Sequence, residues 1–295
     1  PAIQSAVLSP SSPGALEAVA ISAIINDETG VSTASLYYTQ GGNQSFTSVA
    51  MTSGSGNSYS ATIPASDVTR NGLIYFIQAE DDLGFVATSD TAGVEINFSN
   101  GDLSTSSAIS SAYSTGFPID KWRLISIPGN VDDKIVGNVI GDELGSQSNT
   151  TWRMFEWDDV SLSYKENPVS FVNGESFWLY QKVEANQLIS APSGATGNMS
   201  GTSLTIKPGW NLIGSPYSFP VQLVLDQAQF YGPIAYGLSG ESWSDVTTEL
   251  RPWSGYALYN RTTADQSVVI DPIQSTTGTF IKSAVMNDGW QGNLE

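Results

Sequence analysis

The sequence predicts an all-β protein, and three observations carry that expectation. Short strand-like runs alternate with Gly, Pro, Asn and Asp punctuation along the whole chain. Stretches with a 3.6-residue period are nearly absent, and only Ile135 to Leu144 and Val221 to Phe230 read as short helices. β-Branched and aromatic residues fall in alternating runs, and the 11% aromatic content separates the chain from a disordered one although only 14% of its residues are charged.

Residues 1–99 form the first expected unit. Strand-like runs lie at 16–25, 31–39, 45–52, 57–63 and 72–80, with a last pair at 84–88 and 93–98. Seven or so strands in a stretch of this length suit a two-sheet sandwich. Alternation is cleanest in VAISAII and LIYFIQA, which should supply much of its core. The acidic-Gly turn NDETGV (26–31), LYY (36–38), YSATIPASDV (59–68) and LIYFIQAEDDLG (73–84) carry a resemblance. Their order resembles bacterial immunoglobulin-like or fibronectin type III-like domains, which implies a fold rather than a function.

Residues 100–117 are rich in Ser and Thr and read as a linker or as an edge strand of the following unit. Beyond them lies an internal repeat. Trp122-Arg-Leu-Ile-Ser-Ile-Pro128 recurs as Trp210-Asn-Leu-Ile-Gly-Ser-Pro216, and Ser176-Phe-Trp-Leu-Tyr180 as Gly255-Tyr-Ala-Leu-Tyr259. Each copy closes on an apolar strand ending in Pro, LISAP (188–192) and VVIDP (268–272). In each opening strand Trp and Leu alternate onto one face and Ile onto the other. The Pro, having no N–H to donate, ends the ladder. Between these strands the first copy has a hairpin pattern, TWRMFEWDD then SLSYKE, and the second has IAYGLSGESWSDV at the matching place. Tyr180 and Tyr259 are expected to pack over the Trp of their own copy, and the two copies over each other through related faces.

PGWNLIGSPYSFPV (208–221) and GESFWLY (174–180) are similar to the "GWNLIS-P" β-modules found near the C-terminal ends of large secreted bacterial proteins. Such proteins often carry immunoglobulin-like domains upstream and sorting domains downstream, commonly in the type IX secretion context. The resemblance covers about 118–272, divided as copy 1 at 118–200 and copy 2 at 201–273, and implies architecture and export without an active site. Lys121, where the pattern has Gly before Trp122, departs from it. Residues 274–295 read as the start of a further, incomplete β unit, so the chain is expected to be a piece of a longer polypeptide.

Composition excludes several chemistries. With no Cys and no His there is no disulfide, no thiolate nucleophile, no Cys-His zinc site and no His-dependent triad. The net charge of −18 and the scattered 11 Lys and Arg argue against nucleic acid and anionic membranes. No apolar run is long enough to span a bilayer. A polar-uncharged, acidic, cysteine-free β-protein fits a bacterial exported chain.

Two candidate sites remain. In an immunoglobulin-like sandwich the loops holding Asp27, Glu28, Asp81 and Asp82 lie at one end, and converging carboxylates there would suit calcium, which takes oxygen ligands in flexible loops. Ordinary Asp turn chemistry explains the same residues. Trp152, Trp157, Tyr164 and Trp243 fall outside the repeat's framework and are the choice for a glycan-stacking platform, with core packing the commoner use of such rings. No catalytic residue is assigned and no cofactor is required, calcium at the acidic loops being the one ion the sequence offers a place for. The expected role is a non-catalytic structural, adhesive or assembly module of a larger secreted or cell-surface protein, partnered by other protein domains. The alternatives are a carbohydrate-binding accessory region of a secreted hydrolase and a subunit of a cell-surface polymer.

Overall fold

The computed structural model describes residues 1–99, 102–106, 112–237 and 241–273. The fold is all-β, built from antiparallel sheets, and among the described residues α-helix is confined to the single turns Val136–Val139 and Gly141–Leu144. These turns occupy the first predicted helix, interrupted at Ile140 (φ −119°, ψ 0°). The second predicted helix does not form. Val221–Gln222 is a strand, and Asp226 then turns the chain by accepting the Ala228 N–H (2.9 Å). Burial there alternates, with Val221 and Leu223 inside and Gln222 between them, so the apolar spacing served a strand. The expected further unit at 274–295 lies outside the described residues.

Residues 1–96 form a two-sheet β-sandwich, whereas Asn97–Phe98, expected in its last strand, pairs instead with Gly194–Ala195 of the first repeat. One sheet runs Ala2–Ile3, Val19–Asn26, Ser58–Ile63, Thr52–Ser53, with Val7–Ser9 also on Val19–Asn26. The other runs Ala92–Val94, Leu73–Asp81, Val31–Gln40, Thr47–Ala50, with Val86–Thr88 also on Leu73–Asp81. Val19, Ile21, Ala23 and Ile25 alternate inward as the pattern requires. Leu73–Asp81 breaks that alternation, because Ile74 points away from the sandwich core and is nonetheless buried in the core of the second repeat. The sandwich is docked there through small residues. A Cβ at Gly41 would stand 2.3 Å from the Phe219 ring, and one at Gly93 only 2.5 Å from the Met199 backbone. The Gly42 N–H donates to the Pro272 carbonyl (2.8 Å), and the Ser218 hydroxyl to that of Arg70 (3.0 Å).

The two repeats fold into sheets of identical order. The first runs Trp122–Ile125, Phe177–Gln181, Trp152–Asp158, Ser163–Glu166, and the second Gly209–Gly214, Gly255–Asn260, Phe230–Tyr236, Trp243–Val246. Trp122 pairs with Tyr180 and Trp210 with Tyr259, each pair of rings 5.1 Å apart. One face of each sheet lies in its own core, with Ile125, Met154 and Phe177 in the first and Ile213, Phe230 and Tyr256 in the second. The other faces meet each other. Leu124, Phe155 and Trp178 pack against Leu212, Ile234 and Ala257 inside a rim of aromatic side chains.

The contact is reciprocal, as between the halves of a two-fold dimer. Ser126 and Gly214 hold the same place in their copies, and so do Trp253 and Gly174. The Ser126 N–H donates to the Trp253 carbonyl (3.3 Å), while the Gly214 N–H donates to the Gly174 carbonyl (2.8 Å). Trp253 and Gly174 both take positive φ (64° and 85°). Trp253 belongs to the second copy, yet its ring is wholly buried in the core of the first. Gln181 and Asn260 are also equivalent, and each ties its strand end to the segment that precedes the opening strand. Gln181 Nε2 donates to the Phe117 carbonyl (3.0 Å) and Asn260 Nδ2 to the Ile206 carbonyl (3.0 Å).

The described parts of 100–117 hydrogen-bond to the closing segment of the first copy. The Thr105 N–H donates to Ile189 (2.9 Å), and Phe117 and Gln187 exchange two bonds (2.7 and 2.9 Å). Leu103, Tyr113 and Phe117 are buried in the first core. Thr202–Ile206 pairs with Gln266–Ile270 at the same place in the second copy.

A Cβ at position 214 would lie 2.1 Å from the Ser126 Cβ, closer than packed carbons approach. Gly214→Ala is therefore expected to cost about 1–3 kcal/mol in chemical denaturation. Adding Ser126→Gly should recover part of that loss, so that the two substitutions are non-additive. Strict additivity would show that the close approach is not the cause.

Candidate functional site

The four acids predicted as a calcium site are not brought together. Among the described residues no group of three or more Asp and Glu converges in a way that could hold a metal ion. Asp27 accepts hydrogen bonds from the Thr29 hydroxyl (2.6 Å) and N–H (2.8 Å), and these, with the nearby Pro1 amino group, hold its carboxyl down to about 2. Asp81 is buried and accepts from the Leu83 and Phe85 N–H groups (both 2.9 Å), closing its own turn. Glu28 and Asp82 are exposed. The carboxylates of this loop end serve backbone donors, which is the turn chemistry that Asp performs wherever a tight loop leaves N–H groups unpaired.

The four aromatic residues predicted as a glycan platform do not form one. Trp152 is 1% exposed in the first core, and its indole N–H donates to the Gly145 carbonyl (2.8 Å). Trp157, Tyr164 and Trp243 are half-buried in the layer between the repeat sheets. The Trp157 indole N–H crosses to the Trp210 carbonyl (2.9 Å), and the Trp178 indole N–H donates to the Tyr164 hydroxyl (3.2 Å). Trp243 stands edge-on to Tyr236 and Trp178, with ring centres 5.3 and 5.9 Å away. Sequence position outside the repeat framework suggested free rings. The missing information was that the hairpins carrying them face the partner copy.

Two features went unnoticed in the sequence because their parts are distant along the chain. A cleft of about 350 Å³ opens where the end of the first hairpin, the 172–176 turn and Thr202–Ile206 meet. Glu156, Asp159 and Glu175 line it beside Trp157. Glu175 has its pKa raised by the surrounding protein and further by the Glu156 and Asp159 charges. Neighbouring Asp158 behaves in the opposite way. An ion pair with Lys165 and the Ser161 and Val160 N–H groups hold it well below the usual carboxylate range.

The second feature is Glu143, on the turn Gly141–Leu144. Its Oε1 accepts from the Ser190 hydroxyl (2.5 Å) and N–H (2.8 Å), fastening the closing segment of the first copy, while Oε2 is buried without a partner. Burial raises its pKa from 4.5 to about 7, the adjacent Asp142 adds to the rise, and the Ser190 bonds oppose it. This pair of groups belongs to the packing of the first module and not to the cleft.

No family model matches the chain, and no curated protein matches it. Among solved structures it is similar to the cycloalternan-degrading enzyme from Trueperella pyogenes, at 12% identity and a TM-score of 0.26, over 63% of this chain and 32% of that one. A GH family 64 laminaripentaose-producing beta-1,3-glucanase from Paenibacillus barengoltzii gives 10% identity and a TM-score of 0.23, over 72% of this chain and 49% of that one. Extracellular domains 3-5 of Drosophila OTK give 10% identity and a TM-score of 0.18, over 88% and 92%. The chain thus spans less than half the length of either hydrolase, and likenesses this slight carry no argument about function. Among the described residues no helix is long and apolar enough to cross a membrane.

Because folded Glu143 keeps its proton to higher pH than an unfolded Glu, the protonated form favours folding. That contribution is complete below pH 4.5 and is lost as pH rises to about 7. The melting temperature should fall across this window, and Glu143→Gln should flatten the fall. An unchanged slope in the variant would assign it to other carboxylates.

Proposed function

We propose that the chain is a non-catalytic structural, adhesive or assembly module of a larger secreted or cell-surface bacterial protein. The observation that carries this reading is the use made of its aromatic residues. Trp157, Tyr164 and Trp243 close the layer between the repeat sheets, and Trp253 and Phe219 lock one unit into the next. Rings spent in this way make a stiff block with its units held in fixed relation, a property suited to a spacer or scaffold that presents neighbouring domains. The net charge of −18 supports solubility at a crowded outer surface.

A glycan array tests this against the carbohydrate-binding reading. The proposal expects no saturable glycan binding by the intact chain. Binding that disappears in Trp157→Ala or Trp243→Ala, with the fold retained by circular dichroism, would replace it with an accessory carbohydrate-binding role. Surface fractionation of the native source should recover the chain in the secreted or cell-surface material, and recovery only from cytoplasm would overturn the export it assumes.

A further inference from the structure

The closing segment of the first copy is held from both sides at Ser190. On one side Ser190 faces Ser104 in an antiparallel bridge, with the Thr105 N–H donating to the Ile189 carbonyl (2.9 Å) and the Ala191 N–H to the Leu103 carbonyl (2.8 Å). The Ser190 N–H therefore points the other way, and Glu143 takes both it and the hydroxyl on Oε1. A few residues on, Gly194–Ala195 pairs with Asn97–Phe98 as the chain leaves the sandwich, and on its other edge with Asn130–Val131. Glu143 thus clamps the strip of chain that joins the sandwich to the first repeat.

We propose that Glu143 and Asp142 share one proton and together form a pH-operated latch on this join, closed while the proton is bound and released when it is lost. The geometry of the carboxyl carries the inference. Oε1 is engaged twice by Ser190, whereas Oε2 is buried with no donor facing it. The Asp142 carboxyl lies within hydrogen-bonding reach of Glu143. Two carboxylates offer each other only acceptors, so the contact is favourable with one proton between them and repulsive with none. Neutral Glu143 donates that proton from the oxygen that Ser190 leaves free, and the buried atom is then satisfied. Ionised Glu143 leaves it bare beside a second negative charge, which favours opening.

Among the described residues neither carboxyl has an ion pair. Residues 187–193 and 103–117 contain no charged residue, and neither does the turn Val136–Val139. Asp102, at the edge of the entering segment, acts on Arg70, and Asp133 is bound to the Ile135 N–H and to Asn138. Burial, with Asp142 adding to it, accordingly lifts Glu143 from 4.5 to about 7 against the two Ser190 bonds. The closed state holds the proton more tightly than an opened one. Its advantage is therefore complete below pH 4.5 and is lost as pH rises to about 7. The second copy lacks the hydroxyl on which the latch closes, because buried Ile270 stands where the first has Ser190.

Hydrogen–deuterium exchange of the intact chain at pH 5 and pH 8, corrected for the intrinsic rates, tests the latch. Amides of 187–195 and of Asn97–Phe98 should lose protection by about tenfold or more at the higher pH, while Gln266–Ile270 keeps its own. Glu143→Gln carries an amide N–H where the neutral carboxyl has its proton, so its 187–195 amides should stay protected at pH 8. Asp142→Asn, at an exposed position, removes the second charge and should shrink the pH-dependent loss. The proposal is overturned if protection of 187–195 is the same at both pH values, if Gln266–Ile270 loosens equally, or if either variant, folded, shows the parent's loss undiminished. The structural role proposed above does not depend on the outcome.

Discussion

At Ser126 and Gly214 two copies of one strand pass so near each other that a Cβ on the glycine would overlap the serine. Gly255 has the same relation to Ser176, its missing Cβ lying 2.6 Å from that residue's Cβ and from Leu124. Both contacts join equivalent repeat positions, with Ser in the first copy and Gly in the second. The copies have diverged so that one side of each contact became smaller. That closeness allows the reciprocal backbone bonds from 126 to 253 and from 214 to 174. It also brings the sheet faces within reach, so that their side chains exclude water from the layer between them.

Much else depends on this crossing. Each repeat sheet has an apolar inner face and an apolar outer face, and the outer face would be wet if the copy stood alone. Stacking the copies buries both, which is how repeat units that cannot complete a core singly become stable. Trp253 makes the dependence explicit, since the second copy supplies one of the largest buried side chains of the first core. Removing a ring of that size from a core costs about 3–5 kcal/mol. The cleft lined by Glu156, Asp159 and Glu175 is a by-product of the same geometry, formed where the first hairpin overhangs the second copy's opening strands.

The N-terminal β-sandwich joins this assembly by a different rule. Its attachment surface includes Ile74, an apolar residue on what the alternation would make an outer face, and glycines that admit Phe219 and Met199. The stretch after it, with Leu103, Tyr113 and Phe117, then runs into the first repeat core. Ser/Thr-rich composition disguised those three side chains in the sequence, because the eye averages over the polar residues between them. Glu143 and the Gln181 and Asn260 bonds were equally hidden, since each acts on backbone that is far away along the chain.

Local patterns alone determined the all-β class, the longer sandwich strands, the two-copy repeat and the pairing of each framework Trp with its Tyr, but not the short strands Ala2–Ile3 and Val7–Ser9 or the passage of Asn97–Phe98 into another sheet. All of these follow from alternation, turn residues and self-similarity, which are properties of neighbours in sequence. The tertiary structure decided which faces meet and which polar groups are left over. Trp157, Tyr164 and Trp243 could have faced water or a partner sheet with the same local pattern, and only the crossing at Ser126 and Gly214 turned them inward. The acids divide for the same reason. Asp27 and Asp81 are consumed by their own turns, while Glu156, Asp159 and Glu175, all of the first copy, line a cleft whose far wall comes from the second copy. A carboxylate's charge is written in the chain, but what answers that charge is set by distance in space.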